Sequence, residues 1–238
     1  MEEHNSAIKN LYFKAFRAVD DRAACMKFIE GHTHVLEIYG ITQITSAKID
    51  WVINPDVYVI QVMAEENGKA LAGGRIHVAN GINPLPIETA VGLMDERIYD
   101  LVASNKENGI GEFCGLWNSW EIAGMGIGSI HLGRTFIALA HHLKLGKLLG
   151  LCAPATYRNS LRVGFRVLRE LGVNGKFYYP AEDLTATGLI IEDLENLPHA
   201  VDEERDIIKK LTDNSLNKLT IKTNKGEEVT LHFDLFNT

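Results

Sequence analysis

The chain has 238 residues, of which 46% are hydrophobic and 23% charged, and its formal net charge at pH 7 is -7. This composition is typical of an ordinary globular protein and excludes disordered and fibrous chains. The acidic balance also argues against a general nucleic-acid binder, because phosphate backbones are bound by concentrated basic faces that this sequence lacks.

The three cysteines, Cys25, Cys114 and Cys152, are widely spaced in apolar surroundings. An odd number of such cysteines indicates reduced, buried thiols, and Cys114 is the one whose reactivity we would test. The acidic N-terminal stretch does not resemble a secretory signal. Since no apolar run approaches the roughly 18 residues that a membrane span needs, we expect a cytoplasmic protein without a span.

The first half of the sequence predicts two helices and a hairpin. Apolar residues recur at helical spacing over residues 7–19, and a second helix is predicted over residues 22–39, with Gly40 as its stop signal. Two β-prone runs, 57–65 and 70–79, are joined by a short Asn-Gly turn, which is a hairpin pattern. A proline-bearing loop and a helix over residues 86–103 complete this half.

The second half predicts a strand that runs through Phe113 to Ile122, then a glycine loop and a helix over residues 129–145. After these come a strand (147–155), a helix (159–171), two strands (176–180 and 186–194), a polar helix (202–211) and a hairpin (219–233). We assign residues 1–194 to one domain and residues 195–238 to an extension packed on that domain or on a partner subunit. The hairpin is a candidate for pairing across a homodimer.

Three alternating glycines, Gly124, Gly126 and Gly128, separate the central strand from its helix. Glycines there adopt positive φ, and the unpaired amides of the first helical turn favour a phosphate. Tight packing alone is an equally valid interpretation of these glycines. The dinucleotide fingerprint fails, because His131 or Ser129 falls where its third glycine belongs, and no Gly-Lys-Ser/Thr follows for a nucleotide-triphosphate loop.

In the order of its elements over roughly residues 21–194, the chain resembles the GNAT superfamily of acyl-CoA N-acyltransferases. The likeness rests on a hairpin ending near ALAGGR, a long strand entering AGMGIGSIHL, a helix, the short strand LLGLCAPA, a helix ending RVLRELGV and an aromatic closing strand. It implies an α/β fold in which helices flank a mixed, mostly antiparallel central sheet.

The loop of that superfamily, Arg/Gln-x-x-Gly-x-Gly/Ala, falls on residues 123–128 and wraps the diphosphate of coenzyme A. Ala123 departs from Arg/Gln, so the resemblance leaves backbone amides for this contact. It further implies that pantetheine pairs with the fourth strand, here residues 117–122. The residues assigned in this way to the cofactor are Trp117, Ile122, Ala123, Gly124, Met125, Gly126, Ile127, Gly128, Ser129 and Arg158.

The same resemblance implies that a general base deprotonates an amine, which then attacks the thioester directly. Glu112 or Glu121 is the candidate base, although either carboxylate has a structural alternative, an arginine partner for Glu112 and the helix N-terminus for Glu121. The tyrosine that the family uses as acid aligns with Leu168. Tyr157 is therefore the candidate acid, with Tyr178 and Tyr179 also within sequence reach and a core role open for each.

Arg75 and Glu112 also resemble the arginine and the strand glutamate of acyl-homoserine-lactone and long-chain N-acyl amino acid synthases. This likeness places Arg75 at the substrate, and we also assign Cys114, in the strand before the glycine loop, to the substrate. A metal site is not expected, because the adjacent His141 and His142 point in different directions along a helix.

The sequence thus predicts an N-acyltransferase that moves an acyl group, by default acetyl, from coenzyme A to a small-molecule amine. Acetyl-CoA or another acyl-CoA is the donor, with no metal. One alternative is a long-chain N-acyl amino acid or autoinducer-type synthase, which Arg75 and Glu112 favour. The other is a GNAT-like module that binds acyl-CoA without turnover, which Ala123 and Leu168 favour.

Overall fold

The computed structural model describes residues 8–38, 40 and 49–236, so the predictions for residues 7 and 39 lie outside the described residues. The described residues form, in order, β1 (Asn10–Arg17), α1 (Arg22–Ile38), β2 (Val57–Met63), β3 (Ala70–Val78), α2 (Pro86–Val91), α3 (Arg97–Asn105), β4 (Ile110–Asn118), α4 (Gly128–His142), β5 (Lys147–Cys152), α5 (Pro154–Arg162), β6 (Arg166–Val167), β7 (Lys176–Tyr178), β8 (Thr185–Ile191), α6 (Asp202–Thr212), β9 (Lys218–Lys222) and β10 (Glu228–Asp234).

All of these strands belong to one sheet in the order β6-β8-β5-β4-β3-β2-β1-β10-β9, with β7 also paired to β8. Neighbouring strands are antiparallel except for the parallel pairs β1–β10 and β4–β5. Helices α4, α5 and α6 pack on one face, and α1, α2 and α3 pack on the other. The predicted α/β fold with a mixed, mostly antiparallel sheet is confirmed.

Helix α4 lies at the centre of the first face. Every residue from His131 to Ala140 is buried, because the helix is covered by the sheet on one side and by α6 on the other. A helix that is apolar around most of its circumference is stable only in such a position. This burial fixes where the start of α4, and hence the glycine loop, lies relative to the sheet.

The helix predicted over residues 7–19 is wrong, since residues 10–17 form β1. Leu11, Phe13 and Ala15 are buried while Tyr12 and Lys14 are only partly so, which is the two-residue period of a strand. The helical spacing arose because Phe16 is also buried, on the opposite face. Pairing with β2 and β10 on both sides decides the conformation.

Residues after 195 share the core of the rest of the chain. β10 pairs in parallel with β1, which places Leu231 opposite Leu11 and Phe233 opposite Phe13. Val229 and Leu231 are fully buried, and α6 packs against α4. β9 is the outer strand of this edge of the sheet, and the homodimer through it stays a hypothesis.

Three predicted boundaries are corrected. The helix predicted over 159–171 is instead α5, which begins five residues earlier at Pro154, a residue whose fixed φ suits the first helical turn. Gly164, at φ 114°, follows the end of α5, and the chain then enters β6. The helix over 86–103 is divided into α2 and α3, and the central strand ends at Asn118, so residues 119–122 are not part of it.

Gly31 marks the contact between α1 and the central strand. A Cβ at this position would overlap the Trp117 ring. We therefore expect Gly31→Ala to lower the free energy of unfolding by about 1–3 kcal/mol, although alanine is the better helix former by about 1 kcal/mol. Urea denaturation measures the difference. Glu30→Ala, at an exposed position of the same helix, is the control, and a Gly31→Ala variant as stable as the wild type would contradict this packing.

Candidate active site

The parallel strands β4 and β5 diverge along their length. They pair only from Ile110 with Lys147 to Phe113 with Gly150. Beyond this point β4 stays paired with β3 on its other side, while β5 stays paired with β8. Among the described residues, no strand pairs with the β5-facing edge of residues 114–118. This free backbone edge is of the kind to which an extended amide chain adds.

A bulge marks the start of the free edge. The register between β3 and β4 shifts between Gly73 and Arg75, and opposite this shift Gly115 has a φ of 60°. Glycine alone takes this left-handed conformation without strain. A bulge bends its strand, and this one follows directly after Phe113, where the pairing of β4 with β5 ends.

The glycine loop, residues 119–127, connects β4 to α4. Gly124 and Gly126 have φ values of 77° and 78°, in the left-handed region. Helix α4 begins at Gly128, and among the described residues no side chain caps it at Ile127. The first-turn amides have no intrahelical partner, so they remain available to donate hydrogen bonds to a ligand. The positive end of the helix dipole lies behind them.

The surroundings of the three glycines differ. No described atom lies near the position of a Cβ on Gly124, whereas a Cβ on Gly126 would lie 3.3 Å from Asn224 Oδ1 and one on Gly128 would overlap the Asn118 carboxamide. Gly126 and Gly128 allow close packing, and Gly124 leaves open space.

Several residues predicted at the cofactor have side chains in the core. Trp117 is buried against α1, and Ile122, Met125 and Ile127 are buried in the core on the α4 face. These four residues can therefore offer only backbone groups to a ligand. Ala123 has no side-chain hydrogen-bonding group, and its amide donates to the Ser119 carbonyl.

Helix α5 lies against the first turn of α4. Asn159 Nδ2 donates a hydrogen bond of 2.6 Å to Ser129 Oγ, so Ser129 is tied to α5. Arg158 precedes Asn159 and is exposed. Arg134, the other arginine near the start of α4, is buried in an ion pair with Glu204. Arg158 is therefore the better placed of the two arginines for a phosphate.

On the α1 face, β3 and β4 bring four polar residues together. Arg75 lies opposite Cys114, and His77 lies opposite Glu112. The Arg75 guanidinium is buried 4.4 Å from the centroid of the Trp51 ring, and its Nη2 is 4.0 Å from Cys114 Sγ. Removing a cation from water costs free energy, and the contacts of the guanidinium with the Trp51 ring and with Cys114 offset part of this cost. We call Arg75, His77, Glu112 and Cys114 the polar cluster.

The Glu112 side chain, which extends from β4, is buried against the start of α2. Its Oε2 accepts a 2.6 Å hydrogen bond from the Ile87 amide. Burial raises the pKa of Glu112 to about 8, against the opposing effects of the Ile87 amide and Arg75. A carboxyl group with a pKa in this range can take a proton from an amine near neutral pH.

Glu121 is less suited to act as a base. Its Oε1 lies 2.8 Å from Lys69 Nζ, in an ion pair that links the β2–β3 turn to the glycine loop. Burial raises the pKa of Glu121, but the hydrogen bonds that its carboxylate accepts, with that from Lys69 the largest of them, together with the Lys69 charge, lower the pKa below its usual value. Cys114 is also unreactive as a nucleophile, because burial and then Glu112 raise the pKa of its thiol to about 12.

Tyr157 lies in the first turns of α5, directly after β5. It lines a cavity of about 670 Å³ together with Phe177, Tyr178 and Thr187. The placement of Leu168 on this helix is wrong, since Leu168 follows β6 and its amide donates to the Gly188 carbonyl. Tyr157 is thus the tyrosine on the helix that follows β5.

Several residues around this site were not predicted from the sequence, namely Trp51, Lys69, His77, Asn118 and Asn224. Asn224 lies in the Asn-Lys-Gly turn that predicted the C-terminal hairpin, but nothing in the sequence indicates that this turn reaches a loop 100 residues earlier. His77 and Trp51 carry no local signal either. Their positions follow from strand pairing and from the packing of the α1 face.

In the described ranges, no three side chains of His, Cys, Asp or Glu are grouped so that they would hold a metal ion. Within the same ranges, no helix combines the length and the apolar character that crossing a membrane requires.

By sequence, the chain matches no protein-family model and no curated protein. By structure, it is similar to FeeM, an N-acyl amino acid synthase from uncultured soil microbes, with a TM-score of 0.59 at 11% identity over 82% of this chain and 97% of that chain. It is also similar to BjaI, a CoA-dependent acyl-homoserine lactone synthase solved with SAM and isopentyl-CoA, with a TM-score of 0.51 at 13% identity over 86% of this chain and 89% of that chain.

A third similar structure is an acyl-CoA N-acyltransferase from Pseudomonas aeruginosa, with a TM-score of 0.51 at 14% identity over 76% of this chain and 98% of that chain. At such identities the likeness shows the fold alone. The chain therefore has the GNAT-like fold of the acyl-CoA N-acyltransferases.

Proposed function

We propose that the chain is an acyl-CoA-dependent N-acyltransferase that acylates the amine of a small molecule. The observation that carries this proposal is the divergence of β4 and β5 beside the glycine loop. A free strand edge that ends at a helix N-terminus provides amide pairing for pantetheine and an anion site for its diphosphate. The similar structures support the assignment, because they are enzymes of this reaction class.

The donor then lies along β4. Its diphosphate contacts the amides between Gly124 and Ser129, with Arg158 as the adjacent cation. Pantetheine follows the free edge of residues 114–118 into the cleft. Because β4 and β5 rejoin at Phe113 and Gly150, the thioester stops near that point, beside Glu112 and Cys114 of the polar cluster.

In the proposed reaction, the ionised fraction of Glu112, which increases as the pH approaches its pKa of about 8, accepts a proton from the acceptor ammonium, and the resulting amine attacks the thioester carbonyl carbon. The new C–N bond forms, the C–S bond breaks, and the coenzyme A thiolate takes a proton from Tyr157. The nitrogen gives up its second proton as the amide forms, and this proton restores the Tyr157 hydroxyl. Glu112 is favoured over Glu121 because of its raised pKa and its freedom from a lysine partner. Arg75 stabilises the ionised form of Glu112 once the proton has left.

A second candidate is a synthase of the N-acyl amino acid or autoinducer type. The buried Arg75 beside Glu112 favours it, since a cation next to the base suits an amine that also carries a carboxylate, as an amino acid does. The cavity beside Tyr157 has room for an acyl chain longer than acetyl. Mass spectrometry of the ligand retained on purification distinguishes a long acyl chain from an acetyl group.

Coenzyme A binding is the direct test of the donor site. At 100 times its Kd, a ligand of the folded state stabilises it by about 2.7 kcal/mol, which corresponds to a rise in Tm of about 5–10 °C for a chain of this size. NADH is the control ligand, because it shares the diphosphate and the adenine but lacks pantetheine. No rise with millimolar coenzyme A would refute the proposal.

Turnover separates the enzyme from a module that only binds acyl-CoA. Release of free thiol from acetyl-CoA and from a long-chain acyl-CoA, measured with a pool of amines and amino acids, is expected from the enzyme. Binding of coenzyme A without thiol release under any of these conditions would favour the binding module.

A further inference from the structure

The tip of the β9–β10 hairpin contacts the glycine loop. Asn224 Nδ2 donates a 2.7 Å hydrogen bond to the Gly124 carbonyl. The same carboxamide faces Gly126, where a Cβ would lie 3.3 Å from Asn224 Oδ1. One side chain of the C-terminal extension therefore contacts both glycines of the glycine loop that have positive φ, Gly124 and Gly126.

Hydrogen bonds fix the conformation of this tip. The amides of Lys225 and Glu227 donate to Thr223 Oγ1 at 3.3 and 3.2 Å, and the Gly226 amide donates to the Thr223 carbonyl at 2.9 Å. Thr223 itself is only 5% exposed. Because β10 also pairs with β1 inside the sheet, Asn224 is held on a rigid element rather than on a mobile loop.

The glycine loop needs such a support. Glycines at 124 and 126 leave its backbone permissive, and an anion site requires amides held in one orientation. The carbonyl of a loop peptide that turned toward the site would repel a phosphate. The hydrogen bond from Asn224 keeps the Gly124 carbonyl engaged, and Ala123 has no polar side chain that could do so.

We propose that Asn224 is a positioning residue for the diphosphate of coenzyme A, so that the C-terminal hairpin is part of the cofactor site. This inference rests on the proposed function. Asn224 acts through the loop, by holding the Gly124 peptide in the orientation that leaves the neighbouring amides free to donate. Residues beyond 194 therefore contribute to cofactor binding together with residues 1–194.

Calorimetric titration of the full chain with coenzyme A tests this. Asn224→Ala is expected to weaken binding about three- to tenfold, the contribution of one hydrogen bond. Asn224→Asp, which cannot donate to the carbonyl and adds a negative charge, is expected to weaken it more than Asn224→Ala. Each variant should lose affinity for 3′-dephospho-coenzyme A by the same factor as for coenzyme A, because both ligands contain the diphosphate.

The matched control is Asn217→Ala, at an exposed position just before the other end of the same hairpin. It should bind coenzyme A like the wild type. A role in folding alone would lower the Tm of ligand-free Asn224→Ala and leave its affinity intact, which would overturn the inference. If the wild type binds coenzyme A and Asn224→Ala binds equally well, only the inference fails, whereas a wild type that binds none refutes the proposed function as well.

Discussion

Glu204→Gln is expected to lower the free energy of unfolding by about 3–5 kcal/mol. The Glu204 carboxylate is fully buried, and it accepts hydrogen bonds from Arg134 of α4 and, at 2.8 Å, from Arg162 of α5. Removing its charge leaves the Arg134 guanidinium buried without a counter-charge. The variant also loosens α6 from the helix whose first turn forms the proposed cofactor site. Urea denaturation at pH 7 measures the loss.

Glu203→Gln is the control for this prediction. The Glu203 side chain is 74% exposed and lies 3.9 Å from Arg162. Its replacement should change the free energy of unfolding by no more than about 0.5 kcal/mol, because exposed ion pairs contribute little. Equal effects of the two substitutions would show that the Glu204 network does not hold α6 in place.

Acidification from pH 7 to pH 5 is expected to lower the free energy of unfolding by about 3 kcal/mol, as the balance of two opposed effects. Burial lowers the pKa of His32 to about 4 and those of His77 and His131 to about 3, with Arg75 acting on the first two and Arg134 on the third. An unfolded histidine binds a proton below about pH 6.5, whereas these three stay neutral in the folded protein. Each of them therefore lowers the free energy of unfolding by about 2 kcal/mol at pH 5.

Glu112 acts in the opposite direction. Its pKa in the folded state is raised to about 8, so the folded protein holds a proton that the unfolded chain has released at pH 7. Acidification to pH 5 removes this difference and restores about 2 to 3 kcal/mol of stability. Burial also raises the pKa of Glu88, which adds an effect of the same sign.

Variants separate the two effects. Glu112→Gln should lose about 6 kcal/mol between pH 7 and pH 5, because only the histidines remain, and His77→Gln should lose about 1 kcal/mol. His141→Gln, at an exposed position of α4, should behave like the wild type. Urea titrations at the two pH values measure these differences. If Glu112→Gln lost no more than the wild type, the Glu112 carboxyl would not be protonated in the folded state.

The elements that the sequence predicted well are those whose pattern is local. The β2–β3 hairpin, β5, α4 and α6 each have a clear period or turn signal, and each forms within a few residues of its predicted bounds. The prediction for β1 failed because Phe16 is buried on the face opposite Leu11, Phe13 and Ala15, so the apolar residues fit both periods. The start of α5 was predicted wrongly, although Pro154 is a helix-start signal, because the strand pattern was extended through residue 155.

The candidate site divides along the same line. The glycines, Glu112 and Arg75 could be predicted as site residues because they lie within recognisable motifs. The divergence of β4 from β5, the burial of Glu112 against α2 and the contact of Asn224 with Gly124 were not, because each depends on segments far apart in sequence. No local period or propensity carries information about such contacts.

The parallel pairing of β1 with β10 also matters while the protein is being made. Asn10 and His232, which are hydrogen-bonded in neighbouring strands, are 222 positions apart. At roughly 5–20 residues per second, the ribosome needs on the order of ten seconds or more between them. Throughout that interval one edge of β1, with Leu11 and Phe13, lacks its neighbour in the nascent chain. We therefore expect newly made chains to depend on chaperones until the last strand emerges.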